Sequence, residues 1–142
     1  MEEQDVMFTK IIVPVDISTL DKGADIFRKA ASLLDEGGKI ILLHVVEEVP
    51  SYLAIDVPAD LIENATDEAQ DKLVKLRDDT GIDAEIELRS GPPAREILAC
   101  AKEQGADLII IASHRPDFSN YLLGSTADRV VRHAVCSVLV RR

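Results

Sequence analysis

Cysteine is nearly absent from this chain. Two occur in 142 residues, Cys100 in a helical pattern and Cys136 at the start of a strand-like run, with no C-x-x-C spacing and no metal-ligand partners. Both therefore read as small buried apolar residues. Long apolar runs are also missing, and none approaches the roughly 20 residues of a bilayer span, so no transmembrane helix is expected. Basic residues are in the minority, 16 against 26 acidic ones, which gives a net charge of -10. That balance is the reverse of a duplex or phospholipid binder's footprint, so neither nucleic acid nor a membrane surface is an expected partner. The first residues, Met1-Glu2-Glu3-Gln4-Asp5, are acidic where a secretory signal is basic, and a cytoplasmic location is the expectation.

The common nucleotide and nucleophile signatures are missing too. No G-x-x-x-x-G-K-S/T occurs, and no G-x-G-x-x-G follows the first strand-like run, which removes Walker-type NTPases and ordinary dinucleotide enzymes. A phospho-receiver needs an aspartate at the end of its third strand, where this chain has Arg89-Ser90. No serine sits in a G-x-S-x-G elbow, and no cysteine has a histidine at motif spacing. No catalytic constellation can be named.

What is present is an alternation of strand-length apolar runs with segments of 3.6-residue period, the mark of βα units. Hydrophobic residues make up 46%, enough for a globular core, and the length suits one domain over residues 1–142. Lys10 to Asp16 and Lys39 to Val46 read as strands 1 and 2, apolar at consecutive positions and hence covered on both faces. Between them Phe27, Ala30, Ala31 and Leu34 share a helical face, Ser18 and Asp21 have capping-box spacing, and Gly37-Gly38 reads as the helix end. A long loop over 47–60 leads to a helix over 60–79 with Ile62, Ala65, Ala69, Leu73 and Leu76 inward. Ala84 to Arg89 alternates strictly, as an edge strand with one face open to water would. Pro92-Pro93 opens a helix that Gly105 closes, Leu108 to Ala112 is strand 4, a helix after Gly124 turns Ala127, Val130, Val131 and Ala134 inward, and Ser137 to Val140 is strand 5.

With right-handed crossovers this order gives an α/β fold, a single doubly wound, mainly parallel, Rossmann-like sheet of five strands in the order 3-2-1-4-5 with helices on both faces. Ligands bind such sheets beyond the carboxyl ends of the central strands, here Val15-Asp16 and Ala112-Ser113. Near them Gly124-Ser125-Thr126 opens a helix, preceded by a polar loop with Ser113, His114 and Arg115. A helix N-terminus with two hydroxyls suits phosphate, although Ser125 or Thr126 as a plain cap explains the same residues.

The wider segment carries a resemblance. Ile110 to Pro116, Tyr121 to Thr126 and Val130 to Val140 closely resemble the C-terminal signature of the universal stress protein family, Lys10 to Asp16 resembles its first strand, and Leu43-His44-Val45 its second. Ala-Ser-His-Arg-Pro with Leu-Leu-Gly-Ser resembles the F and G subgroup in particular. The family loop runs G-x-x-G, nine residues, then G-S/T. Here Ala112 and Arg115 stand for the first two glycines, eight residues separate Arg115 from Gly124, and Gly124-Ser125 keeps the ending.

The resemblance implies ATP, with AMP or ADP as alternatives and Mg as the companion ion of ATP. Pro14 and Val15 would line the adenine, Asp16 would accept from a ribose hydroxyl, and Val45 would close the base pocket. Ala112, Ser113, Arg115, Gly124, Ser125 and Thr126 would surround the phosphates, with Arg115 pairing by charge where the family has glycine. His114 divides between phosphate and solvent. The bland readings are a turn-capping Asp16, a solvated Arg115, a hydrogen-bonded core His44, and a His133 that complements a helix dipole. The expected function is a stress-response nucleotide-binding module that senses or regulates, with a weak ATP-hydrolysing or phosphotransfer enzyme as the alternative. A homodimer through strand 5, with Val138, Leu139 and Val140 at the interface, is expected because an apolar edge strand invites pairing.

Overall fold

The protein is described by a computed structural model over residues 8–47, 58–113 and 124–142. Nine elements alternate along it: β1 (Phe8–Pro14), α1 (Leu20–Leu33), β2 (Leu34–Val46), α2 (Ala59–Thr80), β3 (Glu85–Ser90), α3 (Pro93–Gln104), β4 (Leu108–Ala112), α4 (Ser125–His133) and β5 (Ser137–Arg141). The five strands form one sheet in the order β3-β2-β1-β4-β5, every pairing parallel. None of the described helices is long and apolar enough to cross a membrane.

Consecutive apolar residues in the central strands turn to opposite faces, and both faces are covered. Ile11, Val13, Ile40, Leu42 and Ile110 pack with Ile26, Phe27 and Ala30 of α1 and Leu73 and Leu76 of α2. Ile12, Ile41, Leu43, Ile109 and Ile111 pack with Ala94, Ile97 and Cys100 of α3 and Ala127 and Val130 of α4. Burial pushes the Cys100 thiol up to about 12, with the Glu87 carboxylate adding to the effect, so the thiol stays protonated and inert. Cys136 is half-buried beside the same layer, and burial raises its thiol as well.

Asp107 ties the foot of β1 to the start of β4. Its carboxylate accepts the N–H groups of Thr9 (2.9 Å) and Lys10 (3.0 Å) and the Thr9 hydroxyl (3.0 Å). Burial works against the charge, but these donors outweigh it and hold the carboxyl below its usual range.

Several local expectations are corrected. The first helix ends at Leu33, not at Gly37-Gly38. Leu34 is already extended and pairs with Phe8, and the two glycines lie inside β2 at a register shift. Gly37 has φ +81°, and a Cβ on Gly38 would stand 2.9 Å from the Thr9 carbonyl oxygen, so these glycines serve an irregular strand start. The Ser18–Asp21 capping box does not form. The N-cap is Thr19, which makes no side-chain cap, and Ser18 instead donates its N–H (2.9 Å) and hydroxyl (2.6 Å) to Asp16 Oδ1. In α2 only Ala69, Leu73 and Leu76 are buried. Ile62 is 45% exposed and Ala65 is exposed, because the first turns of the helix meet none of the described core residues. In α4 Val131 is 44% exposed, since Ala127 and Val130 already fill the inward stripe of a nine-residue helix.

The charged face of β3 is the largest correction. Among the described residues it is an edge strand, paired only with β2, but Glu87 and Arg89 meet side chains of α3 instead of facing open water. The Arg89 side chain is 15% exposed and meets Glu87, Glu96 (3.5 Å) and Glu103 (2.7 Å), while Gln104 donates to Glu87 at 3.1 Å.

Candidate functional site

The carboxyl ends of β1 and β4 are where the strand order reverses, and a cleft of about 300 Å³ opens there. The ladder between β1 and β2 stops at Pro14 and Leu43. One residue further the Val15 N–H still donates to the Leu43 carbonyl (2.8 Å), but the Val15 carbonyl takes His44 Nδ1 (2.9 Å) where a continued parallel ladder would supply a backbone N–H. The imidazole thus satisfies the last strand carbonyl, and the chain is free to turn away. Its turn is tight, with the Thr19 N–H donating to the Asp16 carbonyl (3.0 Å) and Asp16 Oδ1 holding Ser18, so the carboxylate sits at the lip of the cleft.

On the opposite side β4 ends in Ala112, and Ser113 follows, buried and still in register through its N–H to the Arg141 carbonyl (2.9 Å). Helix α4 begins at the N-cap Gly124, which is buried and makes no side-chain cap, so among the described residues no side chain caps the first N–H groups of α4. The walls combine apolar surface from Val15, Leu43, Val45, Ile97 and Ile111 with the polar groups of Asp16, Thr19, Lys22, Glu47, Ser113 and Thr126. A largely apolar slot with a few polar groups at its ends fits a flat heterocycle carrying a hydrophilic tail.

Of the residues singled out from sequence, the structure brings Pro14, Val15, Asp16, Val45, Ala112, Ser113 and Thr126 into this cleft. Gly124 and Ser125 adjoin it at the α4 N-terminus without lining it, and Ser125 is exposed. His114 and Arg115 lie outside the described residues. The capping alternative for Asp16 holds for its contact with Ser18, whereas neither Ser125 nor Thr126 is the cap of α4. His44 is the hydrogen-bonded histidine expected, and His133 stands in the last turn of α4. Sequence reasoning missed Thr19, Lys22, Gly23 and Glu47. A signal was available for the first three, since the opening turn of a helix that directly follows a central strand faces the switch point.

A parallel doubly wound sheet with its cleft at the switch point defines an α/β domain of the Rossmann-like class. More particularly, the chain belongs to the universal stress protein family, whose family model matches residues 7–142. It is 34% identical to universal stress protein G of Shigella flexneri, over 96% of this chain and 100% of that one. Among solved structures it is similar to the hypothetical protein MJ0577, with a TM-score of 0.76 and 27% identity over 96% of this chain and 99% of that one. A universal stress protein in complex with cAMP shares the fold, with a TM-score of 0.63 and 21% identity over 96% of this chain and 98% of that one.

Proposed function

We propose that this chain is an adenine-nucleotide-binding module, with ATP as its ligand, acting in the cytoplasm as a dimer that passes its nucleotide state to a partner. The observation that carries the reading is the composition of the cleft: apolar lining from Val15 and Val45, a carboxylate at Asp16, and at Thr126 a helix N-terminus that no described side chain caps. Pro14, Val15 and Val45 would hold the adenine, Asp16 a ribose hydroxyl, and Ala112, Ser113, Gly124, Ser125 and Thr126 the phosphates, with His114 and Arg115 completing that end. Among the described residues no three His, Cys, Asp or Glu side chains form a metal cluster, so Mg accompanying ATP would be held chiefly by the phosphates. The solved complex with cAMP supports an adenine ligand on this fold.

Mass spectrometry of the ligand released from freshly purified protein is the first test, and calorimetry the second. Asp16→Ala should weaken ATP and adenosine alike, by about tenfold or more, as loss of a hydrogen bond to a charged group does. Gly124→Val should weaken phosphate-bearing ligands only. Its φ of −60° and ψ of 156° suit any residue, so the substitution adds bulk at a buried position without backbone strain. Unchanged ATP affinity in both folded variants would remove this site.

The dimer rests on β5. Among the described residues it pairs only with β4, and Val138, Leu139 and Val140 are half-buried along it. A second copy meeting it antiparallel would satisfy both rows of backbone groups. Sedimentation at micromolar concentration should show twice the 15.5 kDa chain mass, and Leu139→Lys should shift it to monomer. A wild type that sediments as a single 15.5 kDa species rules the dimer out.

A further inference from the structure

We propose that Lys22 pairs with the phosphate borne directly by the ribose, which makes it the residue that separates nucleotides from nucleosides in this cleft; the inference rests on the nucleotide reading above. Three observations converge on it. Lys22 lines the cleft, where it is the one cation among the described residues, beside the carboxylates of Asp16 and Glu47. Its ammonium has no ion pair with any described residue, although it is half-buried and Asp25 on the next turn of the same helix is engaged by Arg141 at 2.9 Å. It also occupies the first turn of α1, where a cation opposes the helix dipole and no side chain caps the helix.

An ammonium without an ion pair among the described residues and a cation in the first turn of a helix are both unfavourable, and they share one remedy. An anion bound in the cleft would pair the ammonium and face the N-terminus of α1 at once. A local rule broken without compensation among the described residues points to a residue kept for a ligand. The position also selects which anion. The Lys22 and Gly23 N–H groups both donate to the Thr19 carbonyl (3.1 and 3.2 Å), and the Thr19 N–H donates to the Asp16 carbonyl, so Lys22 stands one tight turn from Asp16. With Asp16 on the ribose, the group within reach of the Lys22 stem is the phosphate attached to that sugar, not the terminal phosphates beside Thr126. The contact would be common to AMP, ADP and ATP and absent for adenosine.

Calorimetry with adenosine, AMP and ATP on wild type, Lys22→Gln and Lys22→Arg tests this directly. Lys22→Gln should weaken AMP and ATP by the same factor, about tenfold or more, and leave adenosine unchanged. Lys22→Arg should recover most of the loss, and the AMP affinity of wild type should fall with added salt more steeply than that of Lys22→Gln. Thermal unfolding without ligand should show Lys22→Gln no less stable than wild type, since it removes a charge from an unfavourable end of α1. A loss in AMP affinity below about threefold, or an equal loss for adenosine, overturns the proposal while leaving the nucleotide reading standing. Failure of wild type to bind any of the three overturns the nucleotide reading itself.

Discussion

Replacing Phe27 with alanine should lower the unfolding free energy by about 3 to 5 kcal/mol, near the top of the range for a core aromatic. Phe27 is fully buried, with 0% of its surface exposed, and lies in the layer that joins α1 to Ile11, Val13 and Ile110 of the two central strands. The cavity cannot collapse easily, because the β-branched residues beneath it sit in a sheet covered on its other face as well. Phe27→Leu keeps most of the volume and should cost only about 1 to 1.5 kcal/mol. Urea unfolding of the three proteins measures the difference. A loss below about 1 kcal/mol for the alanine variant would mean that α1 is not seated on the sheet as described. The same helix carries Thr19, Lys22 and Gly23 into the cleft, so the alanine variant should also bind nucleotide more weakly wherever α1 loosens before the whole domain unfolds.

Arg89→Met should be the second most damaging change, at about 2 to 4 kcal/mol near pH 7. The guanidinium is held protonated, first by its hydrogen bond to Glu103, against the cost of burial, and then by Glu87. Without it, Glu87 and Glu96, with side chains 24% and 17% exposed, lose the cation they share, and Glu87 keeps only its hydrogen bond from Gln104 and Glu96 its 3.5 Å contact with the exposed Arg95. Breaking such a pair costs more than the pair itself contributes, although partial exposure keeps the effect below that of a fully buried one. Glu103 is exposed, and its carboxyl, held low by Arg89, adds stability present above the ordinary glutamate range and lost as pH falls through its lower folded value. The gap between wild type and variant should therefore hold from pH 7 down to the ordinary glutamate range and narrow as pH falls through and below that range, where Glu103 takes up its proton. A gap that stays constant across that range would place the damage in lost packing of the arginine stem.

The central strands were legible because two covered faces demand unbroken apolar runs, and Ile11-Ile12-Val13 and Leu108 to Ile111 admit no other reading. Strand order followed from handedness, and the cleft followed from strand order. The edges were harder. Alternation in β3 shows which residues share a face, but it does not say whether a helix will roof the polar one, and Arg89 reaches Glu103 on a separate element. Gly37-Gly38 has the composition of a helix end and the backbone of an irregular strand start, a choice made by the pairing of Leu34 with Phe8. Ile62 fits the helical stripe of α2, but periodicity cannot tell how far a helix overhangs the sheet. At the cleft, Val15, Asp16 and Thr126 were readable from position and Pro14 through the family resemblance, whereas Lys22 belongs to a helix whose charges look like ordinary solvated surface.

The clamp between Asp107 and the foot of β1 joins residues 97 and 98 positions apart, and it sets an order of events in synthesis. As the chain emerges, β1 can pair with β2 early, but its other edge stays bare until β4 has been made. Through that interval Ile11-Ile12-Val13 presents an open row of backbone groups flanked by apolar side chains, the kind of template on which nascent chains stick to one another. Truncations that stop before Asp107 should therefore aggregate, and those that include β4 should not. The interval in which the growing chain is most vulnerable closes when its hundred-and-twelfth residue clears the ribosome, before the fifth strand exists.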